Sequence, residues 1–141
     1  MISPLDGKTA EKLRQEALAA RERAYAPYSG FKVGAALLSA TGKVYSGQNV
    51  ENASYGLGVC AERAAVFAMV GAGEKKIRAV AIATDAAHPT GPCGACRQVL
   101  REFAEDALIL LVTTQGATSE HSLKDLLPLD FGPRDLGKPQ P

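Results

Sequence analysis

Two short apolar runs separated by a helix-forming segment constrain the fold of this chain more than any other feature. The runs are IRAVAIATD at residues 77–85 and ALILLVTT at 107–114, and each has the length of one strand. Such apolar runs are typical of strands that are buried on both faces of a sheet. Between them, Pro92 opens the segment CGACRQVLREFAED, which is predicted to be a helix. Strand, helix and strand in this order indicate a crossover unit of an α/β sheet.

The part of the chain before these runs is predicted to add a helix and a hairpin. Residues 8–24 carry apolar side chains at helical spacing among charged ones, which predicts an amphipathic helix. FKVGAALL at 31–38 and VYSGQNV at 44–50 flank the turn SATGK and predict two strands joined tightly. Gly34 and Gly47 within these strands indicate close approach of another backbone.

The remaining elements complete a predicted three-layer α/β/α sandwich around a mixed five-stranded sheet. CAERAAVFAMV at 60–70 is predicted to be a buried helix, ATSEHSL at 117–123 a weak strand, and residues 123–127 a helical turn. The order α-β-β-α-β-α-β-β contains two successive crossover helices. With 141 residues, the chain fits one domain over residues 1–141, with a tail of uncertain order from about residue 134.

Charge and hydropathy exclude several classes of function. Sixteen basic and fifteen acidic residues leave a formal charge of +1, so neither nucleic acid nor an anionic membrane is an expected partner. The N-terminal stretch MISPLDGKTA does not resemble a signal peptide, and no run is long enough to span a bilayer. We therefore expect a cytoplasmic protein with a small ligand. Its three cysteines cannot all pair, and a reducing cytosol would keep them as thiols.

The cysteines are spaced for a metal ion. Cys93 and Cys96 lie three apart at a predicted helix start, a spacing that fits half of a zinc site, a redox dithiol or two core cysteines. Cys60 starts another predicted helix, and two converging helix N-termini would stabilise thiolates. Three ligands are typical of a catalytic zinc with a position left for water. A structural zinc needs a fourth ligand, which His88 or His121 could supply.

Two charged residues beside Cys60 favour catalysis. Burying Glu62 on an apolar helix is costly, but a hydrolytic zinc site needs a carboxylate that moves the proton of the activated water. Residues two apart share a site only if they lie at the first turn of the helix. Three thiolates on Zn²⁺ also leave a net negative charge, which Arg63 could offset by donating to the sulfurs. Arg97 could do the same, and Arg63 could instead form a surface ion pair.

The motifs together resemble a known family. C-A-E at 60–62 with P-C-x-x-C at 92–96 resembles the zinc-dependent nucleoside and nucleobase deaminases. YAPYSGFKVGAALL, GQNVENASYGLGVCAERAAV, GPCGACRQVLREF and LLPLDFGP are similar to the small homotetrameric cytidine deaminases, a resemblance that extends from about Ala10 to Pro133. A cysteine instead of a histidine as the first ligand points to the same small class.

The resemblance implies both the reaction and the groups that perform it. Cys60, Cys93 and Cys96 would hold one zinc ion per subunit, and Glu62 would be the proton shuttle. A zinc-bound hydroxide would deaminate cytidine and 2'-deoxycytidine to uridine and 2'-deoxyuridine, with release of ammonia, in pyrimidine salvage.

The resemblance also implies a set of substrate-binding residues. Asn49 and Glu51 match the family's N-x-E, whose side chains bind the ribose hydroxyl, although NVEN alone also fits a polar strand exit. Phe131 matches an aromatic that reaches the base from a neighbouring subunit, so the site would depend on a homotetramer. The other members are Phe31 as the aromatic that stacks on the base, the backbone of Ala61 at the pyrimidine edge and Tyr55 at the surrounding subunit contact. Without the resemblance, Phe31 would be an ordinary core residue.

Two other functions fit part of the pattern. A deaminase of a cytosine-nucleoside antibiotic would share C-A-E and P-C-x-x-C, although Asn49, Glu51 and the FGP at 131–133 favour the ordinary nucleoside. A structural-zinc binding module, from a different class, would need the metal for folding but would not need Glu62.

Overall fold

Five strands form the central sheet of the computed structural model, which describes residues 4–141. The strands are β1 (Gly34–Ser39), β2 (Val44–Gln48), β3 (Ile77–Thr84), β4 (Leu108–Thr113) and β5 (Thr118–Ser122). They lie in the order β2-β1-β3-β4-β5, in which β3 and β4 are parallel and the other neighbours are antiparallel. The predicted mixed five-stranded sheet is therefore confirmed.

Helices cover both faces of this sheet. They are α1 (Gly7–Arg21), α2 (Ala61–Gly71), α3 (Gly94–Glu102) and α4 (Leu123–Leu126), with 3-10 turns at Tyr55–Leu57 and Pro133–Leu136. Leu37 and Ile109 pack in a core with α2 and α3, whereas Leu38 and Leu110 pack in a second core with α1. This alternation confirms the three-layer α/β/α architecture. No helix in the described range has the length and apolar character that crossing a membrane would need.

Two glycines allow helices to lie unusually close to the sheet, as the sequence predicts. A Cβ atom at Gly34 would lie 2.0 Å from the carbonyl oxygen of Ala17 in α1. A Cβ atom at Gly47 would lie 2.5 Å from the amide nitrogen of Ala65 in α2. Both distances are far below van der Waals contact, so only glycine fits at either position. These contacts place α1 against β1 and the first turns of α2 against β2.

The segment before β1 differs from the sequence-based expectation. Residues 31–33 are predicted to begin the strand, but β1 starts at Gly34. The side chain of Asn49 replaces ladder bonds there: its Oδ1 accepts from the amide of Val33 at 2.8 Å, and its Nδ2 donates to the carbonyl of Phe31 at 2.8 Å. The side chain of Asn49, which directly follows β2, therefore holds residues 31–33 in place.

Two helices end earlier than predicted. α1 ends at Arg21 instead of residue 24, and α3 ends at Glu102 instead of residue 106. Just after α3 the carbonyl of Phe103 accepts a hydrogen bond of 3.0 Å from the amide of Ile77. This bond fixes the end of α3 against the start of β3.

Candidate metal site and adjoining cavity

The three cysteines meet where α2 and α3 begin. Cys60 and Cys93 are the N-cap residues of the two helices and have extended backbones. Cys96 lies in the first turn of α3, and its amide donates to Cys93 Sγ at 3.4 Å. The three Sγ atoms all lie within 4.8 Å of one another, and those of Cys60 and Cys93 are 3.9 Å apart. The two crossover helices therefore bring together thiols that are 33 residues apart in the chain.

This cluster fits a zinc ion. Thiolates bound tetrahedrally to Zn²⁺ at about 2.3 Å lie about 3.8 Å from one another, close to the observed separation of Cys60 and Cys93. The positive ends of two helix dipoles also favour thiolates at this point. Within residues 4–141, neither His88 nor His121 joins the cluster, and His121 Nε2 is instead 3.0 Å from Ser119 Oγ. A structural site completed by histidine thus finds no support.

Arg63 is placed to offset the negative charge of the thiolates. Its Nη2 donates to Cys60 Sγ at 3.5 Å, and none of the salt bridges found in the described part of the chain involves it. Hydrogen bonding with Cys96, assisted by Arg63, lowers the pKa of the Cys60 thiol to about 5. The same bond, together with burial, raises the pKa of the Cys96 thiol. The arrangement of Arg63 and the two other cysteines therefore favours the thiolate form of Cys60.

Arg97, which could by sequence offset the thiolate charge as Arg63 does, binds backbone carbonyls instead. Its Nε donates to the carbonyl of Pro92 at 2.8 Å, and its Nη1 donates to the carbonyl of Leu126 at 2.6 Å. The guanidinium thus ties the loop before Cys93 to the end of α4. Both of these hydrogen bonds go to carbonyl oxygens and not to cysteine sulfurs.

Glu62 lies on the wall of a cavity of about 320 Å³ that Cys60 and Cys93 also border. The residue is only 5% exposed, and burial raises the pKa of its carboxyl. Because Cys60 has an extended backbone just outside α2, both it and Glu62 can face the same space. A cavity of this volume falls at the lower end of the range for small-molecule sites, about 300–1,000 Å³.

Four of the predicted substrate-binding residues line the same cavity: Phe31, Asn49, Glu51 and Ala61. The Glu51 carboxylate accepts from the amides of Tyr28 and Ser29 at 2.9 and 3.1 Å and from the Ser29 hydroxyl. These bonds lower the pKa of Glu51. Asn49 and Glu51 therefore both hold the segment that carries Phe31, in addition to facing the cavity.

Two predicted residues lie outside this cavity. Tyr55 is 80% exposed and borders a second cavity of about 290 Å³, which shares Ser29 and Glu51 with the first. Its ring centroid is 5.7 Å from that of Tyr28. Phe131 is 57% exposed and lines neither cavity in its own chain.

Several residues that line the cavity were missed by the sequence analysis. Ser29, Thr84 and Thr90 all border it. Thr84 ends β3, and ligands of α/β sheets bind at the carboxyl ends of strands, so the strand assignment alone could have indicated this residue. Ser29 and Thr90 lie in irregular segments whose position depends on tertiary contacts, and no sequence periodicity points to them.

Comparison with known proteins assigns a family to this arrangement. Residues 7–112 match the family model described as the cytidine and deoxycytidylate deaminase zinc-binding region. A cytidine deaminase of Halalkalibacterium halodurans is 46% identical over 127 residues, which cover 89% of this chain and 96% of that protein. A cytidine deaminase of Sporosarcina psychrophila is 45% identical with coverage of 89% and 93%. The crystal structure of cytidine deaminase from Burkholderia pseudomallei superposes with a TM-score of 0.83 at 49% identity, covering 86% of this chain and 98% of that one.

Proposed function

The chain belongs to the cytidine and deoxycytidylate deaminase family, and from this premise we propose that it hydrolyses cytidine and 2'-deoxycytidine to uridine and 2'-deoxyuridine, releasing ammonia. The observation that carries the proposal is the position of Glu62. A buried carboxylate shares a cavity wall with two of three clustered cysteines, Cys60 and Cys93. A structural zinc module would gain nothing from this carboxylate and would bear the cost of burying it.

Glu62 is the group that moves protons in the proposed reaction. Cys60, Cys93 and Cys96 would hold Zn²⁺, which supplies Lewis-acid activation of a water molecule when bound. Glu62 accepts one proton of the water as the water oxygen bonds to C4 of cytosine, and it delivers this proton to N3. Glu62 then takes the second proton, from the hydroxyl now attached to C4, and passes it to the amino group as the C4–N bond breaks and the C4 carbonyl forms. Ammonia leaves and the base becomes uracil. The burial of Glu62 keeps its carboxyl apart from bulk water, so the proton stays in the site.

The cavity wall orients the nucleoside. Phe31 would stack on the base, and the backbone of Ala61 would contact its pyrimidine edge. The amide of Asn49 has two N–H groups, of which one donates to the carbonyl of Phe31, so the other is available for a ribose hydroxyl. Glu51 has a carboxylate that can accept from the same hydroxyl. Polar contacts of this kind would discriminate a nucleoside from a free base.

Arg63 would make the zinc site more favourable for a negatively charged nucleophile. Three thiolates with Zn²⁺ carry a net charge of −1, which opposes ionisation of water beside the metal. The guanidinium of Arg63 reaches Cys60 Sγ and withdraws part of that charge.

Replacing Arg63 by alanine is expected to lower kcat for cytidine about tenfold or more, the range typical of groups that support metal ligands. Zinc content, measured by atomic absorption, should fall by less than the rate. Arg23→Ala removes an exposed arginine on the segment after α1 and serves as the matched control with an unchanged rate. An Arg63→Ala protein with wild-type kcat would show that the guanidinium does not tune the metal.

We further propose that the active form is a homotetramer in the cytoplasm that serves pyrimidine salvage. Tyr55 and Phe131 expose large apolar surfaces, which supports an interface around the cavity, with Phe131 reaching the site of a neighbouring subunit. Three cysteines needed as free thiols support a reducing compartment. Sedimentation should give the mass of a tetramer, and a fully active monomer would contradict the role of Phe131.

The direct test is deamination by the zinc-loaded protein. We expect ammonia release and the ultraviolet change of cytosine to uracil with cytidine and 2'-deoxycytidine, and much slower reaction with free cytosine, which lacks the sugar hydroxyls. Protein that is inert on both nucleosides would refute the proposed function. Activity confined to a cytosine-nucleoside antibiotic would assign the alternative deaminase instead.

A further inference from the structure

Arg101 is a buried charge with no role in the zinc cluster or the cavity. The residue is 2% exposed on α3, and its Nε donates to the carboxylate of Asp130. Its Nη1 donates to Gln140 Oε1 at 2.5 Å and to the carbonyl of Ala104 at 3.4 Å. A guanidinium is buried only where its partners are fixed, because an unpaired buried charge is strongly destabilising. Arg101 therefore fixes the part of the chain that contains Asp130.

A second side chain of α3 binds the same segment. Gln98 Nε2 donates to the carbonyl of Phe131 at 2.9 Å. Gln98 and Arg101 are three residues apart, so they project from one side of the helix. The same helix is capped by Cys93 at its N-terminus and contains Cys96 in its first turn. The helix that supplies two metal ligands thus also holds the backbone at Phe131.

The residue after Phe131 is packed against the same guanidinium. A Cβ atom at Gly132 would lie 2.6 Å from Nη2 and 2.8 Å from Cζ of Arg101, so a side chain there would displace either group. Backbone or side-chain contacts consequently hold Asp130, Phe131 and Gly132 in succession. The ring of Phe131 nevertheless stays 57% exposed. A fixed backbone that presents an exposed ring is suited to contact outside its own chain.

We propose that Gln98 and Arg101 are positioning residues that fix residues 130–132 on α3 and so present Phe131 in one orientation to the substrate site of a neighbouring subunit. This inference rests on the role of Phe131 in the proposed function. Fixing the ring in advance removes the entropy cost of ordering it when substrate binds. Loss of the fixation should weaken substrate binding and leave the chemistry at Glu62 nearly unchanged.

Steady-state kinetics of zinc-loaded Gln98→Met and Asp130→Asn test this role without removing the buried Arg101. We expect each variant to raise KM for cytidine about fivefold while kcat stays within about twofold and zinc content is unchanged. Asp125→Asn, which makes the same chemical change at an exposed position of α4, is the matched control. Equal losses in kcat and in zinc content would indicate general damage to α3 and would overturn the proposal.

A double-mutant cycle identifies the group through which the two residues act. In a Phe131→Ala background, Gln98→Met and Asp130→Asn should raise KM no further. Additive increases would overturn the proposal. An unchanged KM in Phe131→Ala itself would remove both the subunit contact and this inference, whereas the cytidine assay would still stand as an independent test of deamination.

Fluorescence gives a readout that does not depend on activity. The chain contains no tryptophan, so Phe131→Trp introduces a single emitting tryptophan at this position. Adding Gln98→Met or Asp130→Asn should lower its steady-state anisotropy, whereas Asp125→Asn should not. An anisotropy that stays constant in all three variants would show that the backbone contacts do not fix the ring.

Discussion

Glu62→Gln is expected to lower kcat for cytidine by about 10²–10⁴-fold, the range that a positioned general acid–base contributes. The substitution keeps the shape of the side chain and removes its capacity to accept and return a proton. Glu62 is buried on the cavity wall beside Cys60. The other described carboxylate on that wall, Glu51, does not lie in α2 and is bound to Tyr28 and Ser29. Ammonia release under saturating cytidine measures the loss.

The accompanying measurements separate catalysis from folding. Zinc content of Glu62→Gln should match the wild type, and its melting temperature should be equal or higher because a buried carboxylate is replaced by a neutral amide. Glu16→Gln, on the exposed face of α1, is the matched control with an unchanged rate. A Glu62→Gln protein that deaminates cytidine at the normal rate would disprove the proton-shuttle role.

Cys96→Ser is expected to abolish zinc binding at stoichiometric metal and to reduce activity to less than about a hundredth. Cys96 is fully buried, and a serine hydroxyl does not ionise to replace a thiolate ligand. Zinc present at about a hundredfold above its dissociation constant stabilises a protein by about 2.7 kcal/mol. For a chain of this size that corresponds to a melting-temperature shift of very roughly 5–10 °C, which Cys96→Ser should lose.

The matching experiment is removal of zinc from the unmodified chain. A chelator should lower the melting temperature of the wild type and of Glu62→Gln alike, but it should leave Cys96→Ser unaffected. Glu62→Gln thereby serves as the inactive variant that still binds metal. Full activity and one bound zinc per chain in Cys96→Ser would contradict the assignment of the third ligand.

Patterns with a strong physical cause predicted the fold well. Strands 77–85 and 107–114 are apolar because helices cover both of their faces, and they correspond to β3 and β4 with one or two residues of difference. Gly34 and Gly47 were predicted to allow close approach, which the structure confirms. The errors lie at element ends, such as residues 31–33, where the side chain of Asn49 competes with the strand ladder.

The candidate site was predictable to the extent that its residues lie in short motifs. Cys60 and Glu62 flank one helix start, and Cys93 and Cys96 lie at another, so helix geometry alone brings each pair together. Contacts between segments far apart were not predictable. Arg101 reaches Asp130 across 29 residues, and nothing in the periodicity of α3 distinguishes it from an ordinary surface arginine.

Gly47 determines how far apart the two halves of the site can be. The helix that carries Cys60 and Glu62 rests directly on the backbone of β2 at this glycine, with Ala65 and the carbonyl of Ala61 against it. Cys93 belongs to a different helix, so the gap between the carboxylate and that thiol depends on this contact. The separation of these two groups thus depends on a single hydrogen atom, the side chain of a glycine that does not line the cavity.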